Sequence, residues 1–166
     1  MALRCLIDSM LFDAIAAEPE LLALVDRLTS ARRLELLAAP VSIEQVAATP
    51  DDWHRRELQR VRVLVVPPAD EDDPEVARLL IALRRIAGID DALIAAAAAV
   101  QRVPLVTEDR RLREAAAMHL PDLELWSWAE DLRPRIITLG IEHPPPPYRR
   151  RHVRPARAAA ERHGAR

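Results

Sequence analysis

Five short, largely apolar runs punctuate the chain: Leu3–Ile7, Leu34–Val41, Val61–Val66, Leu105–Thr107 and Leu123–Trp126. Strands with one wet face alternate apolar and polar residues, whereas strands covered on both faces read as near-continuous apolar runs, as here. Helical stretches lie between the runs. Strands of this kind alternating with helices predict an α/β fold, a three-layer α/β/α sandwich around a central parallel sheet of four to five strands.

The intervening stretches carry their own start signals. Ser9 starts a helix over Met10–Ala17, and Pro19 at a first helical position opens another, with Leu21, Leu22, Val25 and Leu28 at helical spacing. Ser42 reads as the cap of a short helix beginning at Ile43, which puts Glu44 in its first turn. Asp51-Asp52 start a helix through Arg60. Pro74 starts an amphipathic one bearing Val76, Leu79, Leu80, Leu83 and Ile86, behind a solvated acidic loop, Asp70–Asp73. Ala92–Gln101 is so rich in alanine that a helix there loses almost no side-chain entropy. Pro104 ends it, and Arg110–Met118 is the next.

The regular pattern fades near residue 133. Residues 1–133 are expected to form one globular unit, 134–147 a Pro-rich extended linker, and 148–166 a basic, disordered tail. A chain of about 150 residues buries roughly 68–70% of its unfolded surface, enough for a core without staples. The single cysteine, Cys5, sits in an apolar run and is expected to be inert, which suits a reducing compartment. Met1–Ile7 lacks a signal-peptide pattern, and no apolar run approaches the roughly 18 residues of a membrane span. A cytoplasmic, membrane-free location is the expectation.

Two absences exclude chemistry. Every basic residue is Arg, with no Lys anywhere, which removes phosphate loops and aspartate sites that work beside a Lys. Glycine occurs only at 88, 140 and 164, so no Gly-rich dinucleotide loop can be built. Charge is also divided. Residues 144–166 carry seven Arg and one Glu, a net of +6, while residues 1–143 carry 17 Arg and 25 acids, a net of −8. Such a tail is either a solubilising terminus or a binder of RNA backbone; in the second case, truncation at residue 143 is expected to weaken RNA binding and flatten its salt dependence.

Ligands of open α/β sheets gather at the C-terminal ends of the strands. Asp8 follows the first strand, Glu44 the second, Asp91 opens the alanine-rich helix, and Asp109 follows the fourth strand. Four carboxylates without a Lys among them raise one another's pKa, so a hard divalent cation, Mg²⁺ or Mn²⁺, is the natural occupant. Such a site can activate water against a phosphodiester. Each acid also has a plain structural use: Asp8 as a strand-end cap, Glu44 as a partner of the helix dipole, Asp109 as the cap of the helix after it. Trp53, Trp126 and Trp128 read as core or dimer contacts, and the histidines show no ligand spacing.

The residues LIDSMLF at 6–12, Glu44 within VSIEQVA, and above all DALIAAAA at 91–98 followed by LVTED at 105–109 resemble the PIN-domain family, most closely its small bacterial toxins of the VapC type. Thr107 and Asp109 fall 16 and 18 residues after Asp91. The resemblance covers roughly residues 3–118. It implies a parallel α/β/α sandwich, metal-dependent cleavage of single-stranded RNA, frequent homodimers and, in toxin members, a cognate antitoxin. It also implies Asp8, Glu44, Asp91 and Asp109 as metal ligands, with the hydroxyls of Ser9 and Thr107 in support. Leu112 departs from the aromatic residue common after the last acid, and the tail has no family counterpart.

One position stays open between neighbours. On a helical wheel from Ile89, the stripe of Leu93, Ile94, Ala97 and Val100 lies nearer Asp90 than Asp91. The family register selects Asp91, leaving Asp90 as a helix cap or supporting group. The alternative to a nuclease is a PIN-like protein that does not cleave and serves as an RNA-binding or protein-interaction module.

Overall fold

The computed structural model describes residues 2–145 and contains a five-stranded, all-parallel sheet. Its strands are β1 (Leu3–Ile7), β2 (Leu34–Ala38), β3 (Leu64–Val65), β4 (Leu105–Val106) and β5 (Leu125–Trp126), in spatial order β3-β2-β1-β4-β5. The helices are α1 (Met10–Ala16), α2 (Pro19–Ser30), α3 (Pro40–Ala47), α4 (Asp52–Leu58), α5 (Pro74–Arg84), α6 (Ile89–Gln101), α7 (Arg110–His119) and α8 (Arg133–Glu142). A π-helical turn, Trp128–Leu132, leads into α8. This is the α/β architecture that the apolar runs predict.

The two-residue period of β1 divides its side chains between two cores. Cys5 and Ile7 join Leu11, Phe12, Ile15, Val25 and Leu28 on the α1–α2 face. Leu6 joins Leu80, Leu83 and Ile94 on the α5–α6 face. Strand β2 divides in the same way, with Leu34, Leu36 and Ala38 on the first face and Leu37 on the second. Each such buried aliphatic contributes about 1.5–3 kcal/mol, so β1 and β2 anchor both layers. Cys5 is fully buried, which pushes its thiol up to about 12 and leaves it a packing residue. No described helix is long and apolar enough to cross a membrane.

Strand order fixes where a ligand can lie. The chain steps outward from β1 through β2 to β3, then crosses back to place β4 on the other side of β1. That reversal opens a crevice between the C-terminal ends of β1 and β4.

Several local expectations are corrected. Helix α3 begins at Pro40, in a first-turn position, instead of at a Ser42 cap. Ser42 is therefore inside the helix and fully buried, and Glu44 stands in the second turn. The third strand shrinks to Leu64–Val65; Val61, outside it, packs into the α1–α2 core. Asp73 is not merely solvated: its Oδ1 accepts from Glu75 N at 2.8 Å and caps α5. Residues 133–142, expected to be past the regular part, form α8, and Ile136 buries against the α1–α2 core. Trp126 is buried and Trp128 half-buried, but Trp53 is 71% exposed and not a core residue. His54 bonds Asp13 at 2.7 Å and ties α4 to α1. The expected basic tail, 148–166, lies outside the described residues.

Candidate acidic site at the sheet switch point

Asp8 leaves β1 at the crevice and is 5% exposed, one of few buried polar side chains. Its burial is made tolerable by hydrogen bonds: Thr107 Oγ1 donates to Asp8 Oδ2 at 2.8 Å, and Ser9 N donates to Asp8 Oδ1. Ser9 Oγ reaches the same oxygen at 3.3 Å and makes no helix cap. Thr107 is itself fully buried, and its hydroxyl accepts from Asp109 N at 3.0 Å. One hydroxyl thus connects Asp8 to the start of Asp109. Asp109 Oδ1 in turn accepts from Leu112 N at 2.8 Å, so this acid caps α7 with one oxygen.

A residue that sequence reasoning overlooked closes this corner. Arg113 Nη1 donates to Thr107 O and to Trp126 O, each at 3.1 Å, across the ends of β4 and β5. Its carbonyl partners lie six and thirteen residues away, so no local spacing in the sequence announced it.

Helix α6 brings the other acids. Gly88 holds its N-cap position with φ at +100°, a region that L side chains rarely adopt, so neither Asp90 nor Asp91 is the cap. Both lie in the first turn. Asp91 faces the crevice: burial first, then the charges of Asp8, Asp109 and Asp90, push its carboxyl up to about 6. Asp90 faces elsewhere, and its Oδ2 accepts from Gln45 Nε2 of α3 at 3.0 Å. Sequence reasoning missed Gln45 too, because nothing local connects residues 45 positions apart.

The structure therefore brings Asp8, Thr107, Asp109 and Asp91 together around the crevice, with Ser9 on Asp8. Glu44 is exposed and is not among the charges acting on Asp91; it shares a separate cleft with Asp90. Among the described residues, no three His, Cys, Asp or Glu converge tightly enough to form a ready cation cage. The donor set nevertheless suits a hard cation in kind. Its charged groups are all carboxylates, and the repulsion that adds to burial in raising Asp91 is what such a cation relieves.

A family model described as "PIN domain" matches residues 9–118. No curated protein sequence matches the chain. Among solved structures, it is similar to VapBC-1 from nontypeable Haemophilus influenzae, with 13% identity and a TM-score of 0.53, over 77% of this chain and 100% of that one. It is similar to VapBC2 from Rickettsia felis bound to a DNA fragment from their promoter, with 17% identity and a TM-score of 0.52, over 76% and 99%. The third is PAE2754 from Pyrobaculum aerophilum, at 19% identity and a TM-score of 0.50, over 85% and 98%. Identities this low speak for the fold alone.

Proposed function

The chain belongs to the PIN-domain family, and from that premise we propose that it is a metal-dependent endoribonuclease that hydrolyses single-stranded RNA, acting as the toxin of a toxin–antitoxin pair. The observation that carries this reading is Asp91, whose carboxyl is pushed up to about 6 by burial and by Asp8, Asp109 and Asp90. A cluster that resists its own ionisation is poised to exchange protons for a divalent cation. In this reading Asp8, Glu44, Asp91 and Asp109 hold Mg²⁺ or Mn²⁺. When bound, such an ion supplies Lewis acidity to water and to a phosphodiester.

The chain's own residues then have separate tasks. Asp8, locked by Thr107 and Ser9, offers a fixed oxygen at the crevice floor. Asp109 has one oxygen committed to α7 and the other free of that cap. Asp91, raised by burial and by its neighbours while no cation is bound, is the carboxyl whose proton a divalent cation would displace. Glu44, exposed on α3, would have to swing inward to join them. A cognate antitoxin protein and a homodimer are the partners this reading proposes, the former in keeping with the VapBC structures the fold resembles.

The other reading is a non-cleaving PIN-like module that binds RNA or protein, since among the described residues no three acids form a ready cation cage. Labelled single-stranded RNA incubated with the protein and with Asp91→Asn, in Mn²⁺ and in chelator, separates the two. Cleavage by the unmodified protein alone, and only with Mn²⁺, is the expected result. Cleavage in chelator, or equal cleavage by the variant, rejects the site.

A further inference from the structure

Many arginines of the folded body meet carboxylates, as Arg62, Arg84, Arg110 and Arg133 do at 3.1 Å or less. Arg113 does not. It is half-buried on α7 and makes no ion pair among the described residues; its Nη1 donates to Thr107 O and Trp126 O, each 3.1 Å away. Arg27 shows what a guanidinium that only caps looks like, since its Nη1 and Nη2 both go to carbonyls at the end of α8, those of His143 and Gly140. Arg113 uses Nη1 alone. Its Nε and Nη2, the edge that forks onto two oxygens of one phosphate, have no partner among the described residues.

Position decides what that edge can meet. Thr107 gives its carbonyl to Arg113 at 3.1 Å and its hydroxyl to Asp8 at 2.8 Å, so the guanidinium lies one residue's width from the acidic crevice. Arg113 is not among the charges acting on Asp91, which sets it beside the carboxylates and not between them. Glu108, the acid next to Thr107 in the chain, accepts from Trp128 N at 2.6 Å and makes no ion pair with Arg113. Residues 1–143 carry 17 Arg and 25 acids, so an RNA strand approaching this edge meets net repulsion and needs a local cation for its backbone. Two carbonyls already hold the Arg113 guanidinium in place, so little rotamer freedom is lost when it takes a phosphate.

We propose that Arg113 is an RNA-binding residue whose Nε–Nη2 edge holds the phosphate next to the scissile one, on the β4–β5 side of the crevice. The proposal rests on the nuclease reading for which phosphate is cut, and on the hydrogen-bond geometry alone for the phosphate contact. A strand laid across the crevice then presents one phosphate to the carboxylates and their cation, and its neighbour to Arg113. The contact is to backbone, so it fixes the register of the strand and reads no base. Lysine at this position would serve both carbonyls with its ammonium but would present no planar fork.

The test measures binding of a short labelled single-stranded RNA in chelator to the protein, Arg113→Lys and Arg113→Met, with each phosphate in turn replaced by an uncharged methylphosphonate. One linkage is expected whose neutralisation weakens binding to the unmodified protein roughly tenfold, the worth of about one hydrogen bond to a charged group. The same replacement should have almost no effect on Arg113→Met, and the salt slope of that variant should be shallower by about 0.7, one phosphate on a single strand. Arg113→Lys should keep the urea midpoint of the parent and still lose most of the effect at that linkage, which separates phosphate binding from the fastening of β4 to β5 and serves even if Arg113→Met does not fold. A linkage profile that is the same in the parent and in Arg113→Lys overturns the proposal, as does RNA that does not bind. With Mn²⁺ the Arg113-dependent linkage should lie next to the cut. Cutting without any Arg113-dependent linkage overturns the proposal and leaves the nuclease reading standing. An Arg113-dependent linkage in RNA that is never cut sinks the nuclease reading and leaves the phosphate contact in place.

Discussion

The two halves of the acidic edge are built on different principles. On the β1–β4 side, Asp8, Thr107 and Asp109 are joined by hydrogen bonds of 2.8 and 3.0 Å through one buried hydroxyl, and Arg113 fastens the strand ends behind them. On the α3–α6 side, Glu44 is exposed, and Asp90 is held by a single bond from Gln45 beside an open cavity. Asp91 stands between, repelled by acids of the first half and by its own neighbour. The first half rests on strands buried on both faces, where geometry is dictated by packing. The second rests on helix starts, where a residue more or less changes which side chain faces in. One half is fixed by buried hydrogen bonds, and the other is more exposed and loosely tied.

If that division is right, substitutions should sort by side. Asp8→Asn should cost RNA cleavage on the order of 10³-fold, since a fixed charged oxygen supplies several kcal/mol of transition-state charge stabilisation. Single-turnover cleavage at saturating Mn²⁺ measures it, and a loss below tenfold would place the charge elsewhere. Thr107→Val keeps the shape but strips two partners at once, leaving Asp8 Oδ2 and Asp109 N unpaired. About 1–3 kcal/mol of stability should be lost, read from urea unfolding. Glu44→Gln should cost about tenfold in cleavage, roughly 1.4 kcal/mol, well short of Asp8→Asn. Equal losses for the two would mean that Glu44 closes fully onto the other acids, and the two halves would merge into one.

What could be read from the sequence follows the same division. Asp8, Thr107 and Asp109 follow strands whose apolar runs announce them, so their place at the sheet edge was legible. The start of α3 was not, because Pro40 and Ser42 both give initiation signals two residues apart, and Pro40 prevails. The wheel of α6 misled through its alanines. Val100, counted in the apolar stripe, is 52% exposed, while Ala92 and Ala95–Ala98 are buried. A run of small, equally apolar residues hides which face is inside. Helix α8 was masked by Pro134 and Gly140. Pro134 is tolerated in a first turn, and a Cβ at residue 140 would lie 2.8 Å from Leu24 Cδ1, so the glycine serves close packing on α2 instead of breaking the helix.

The smallest expected effect tests Asp91, where the halves meet. Its carboxyl ionises near pH 6 in the folded protein against 3.8 for the unperturbed group. Between those values the unfolded chain has released the proton and the folded one still holds it. Stability from this group is therefore greatest at low pH, falls as pH rises from about 4 to about 6, and is level above. Asp91→Asn removes the penalty. In chelator the variant should be the more stable protein above pH 6, by about 1 kcal/mol once the partial solvation of Asp91 is allowed for, and the difference should vanish below pH 4. Divalent cation should reverse the order at neutral pH, because only the unmodified site gains from binding it. Thermal unfolding across pH, with and without Mn²⁺, reads both effects. A variant less stable than the parent in chelator would show that Asp91 is held by partners that outweigh its repulsion, and the two halves of the edge would then be one bonded network without a gap for a cation.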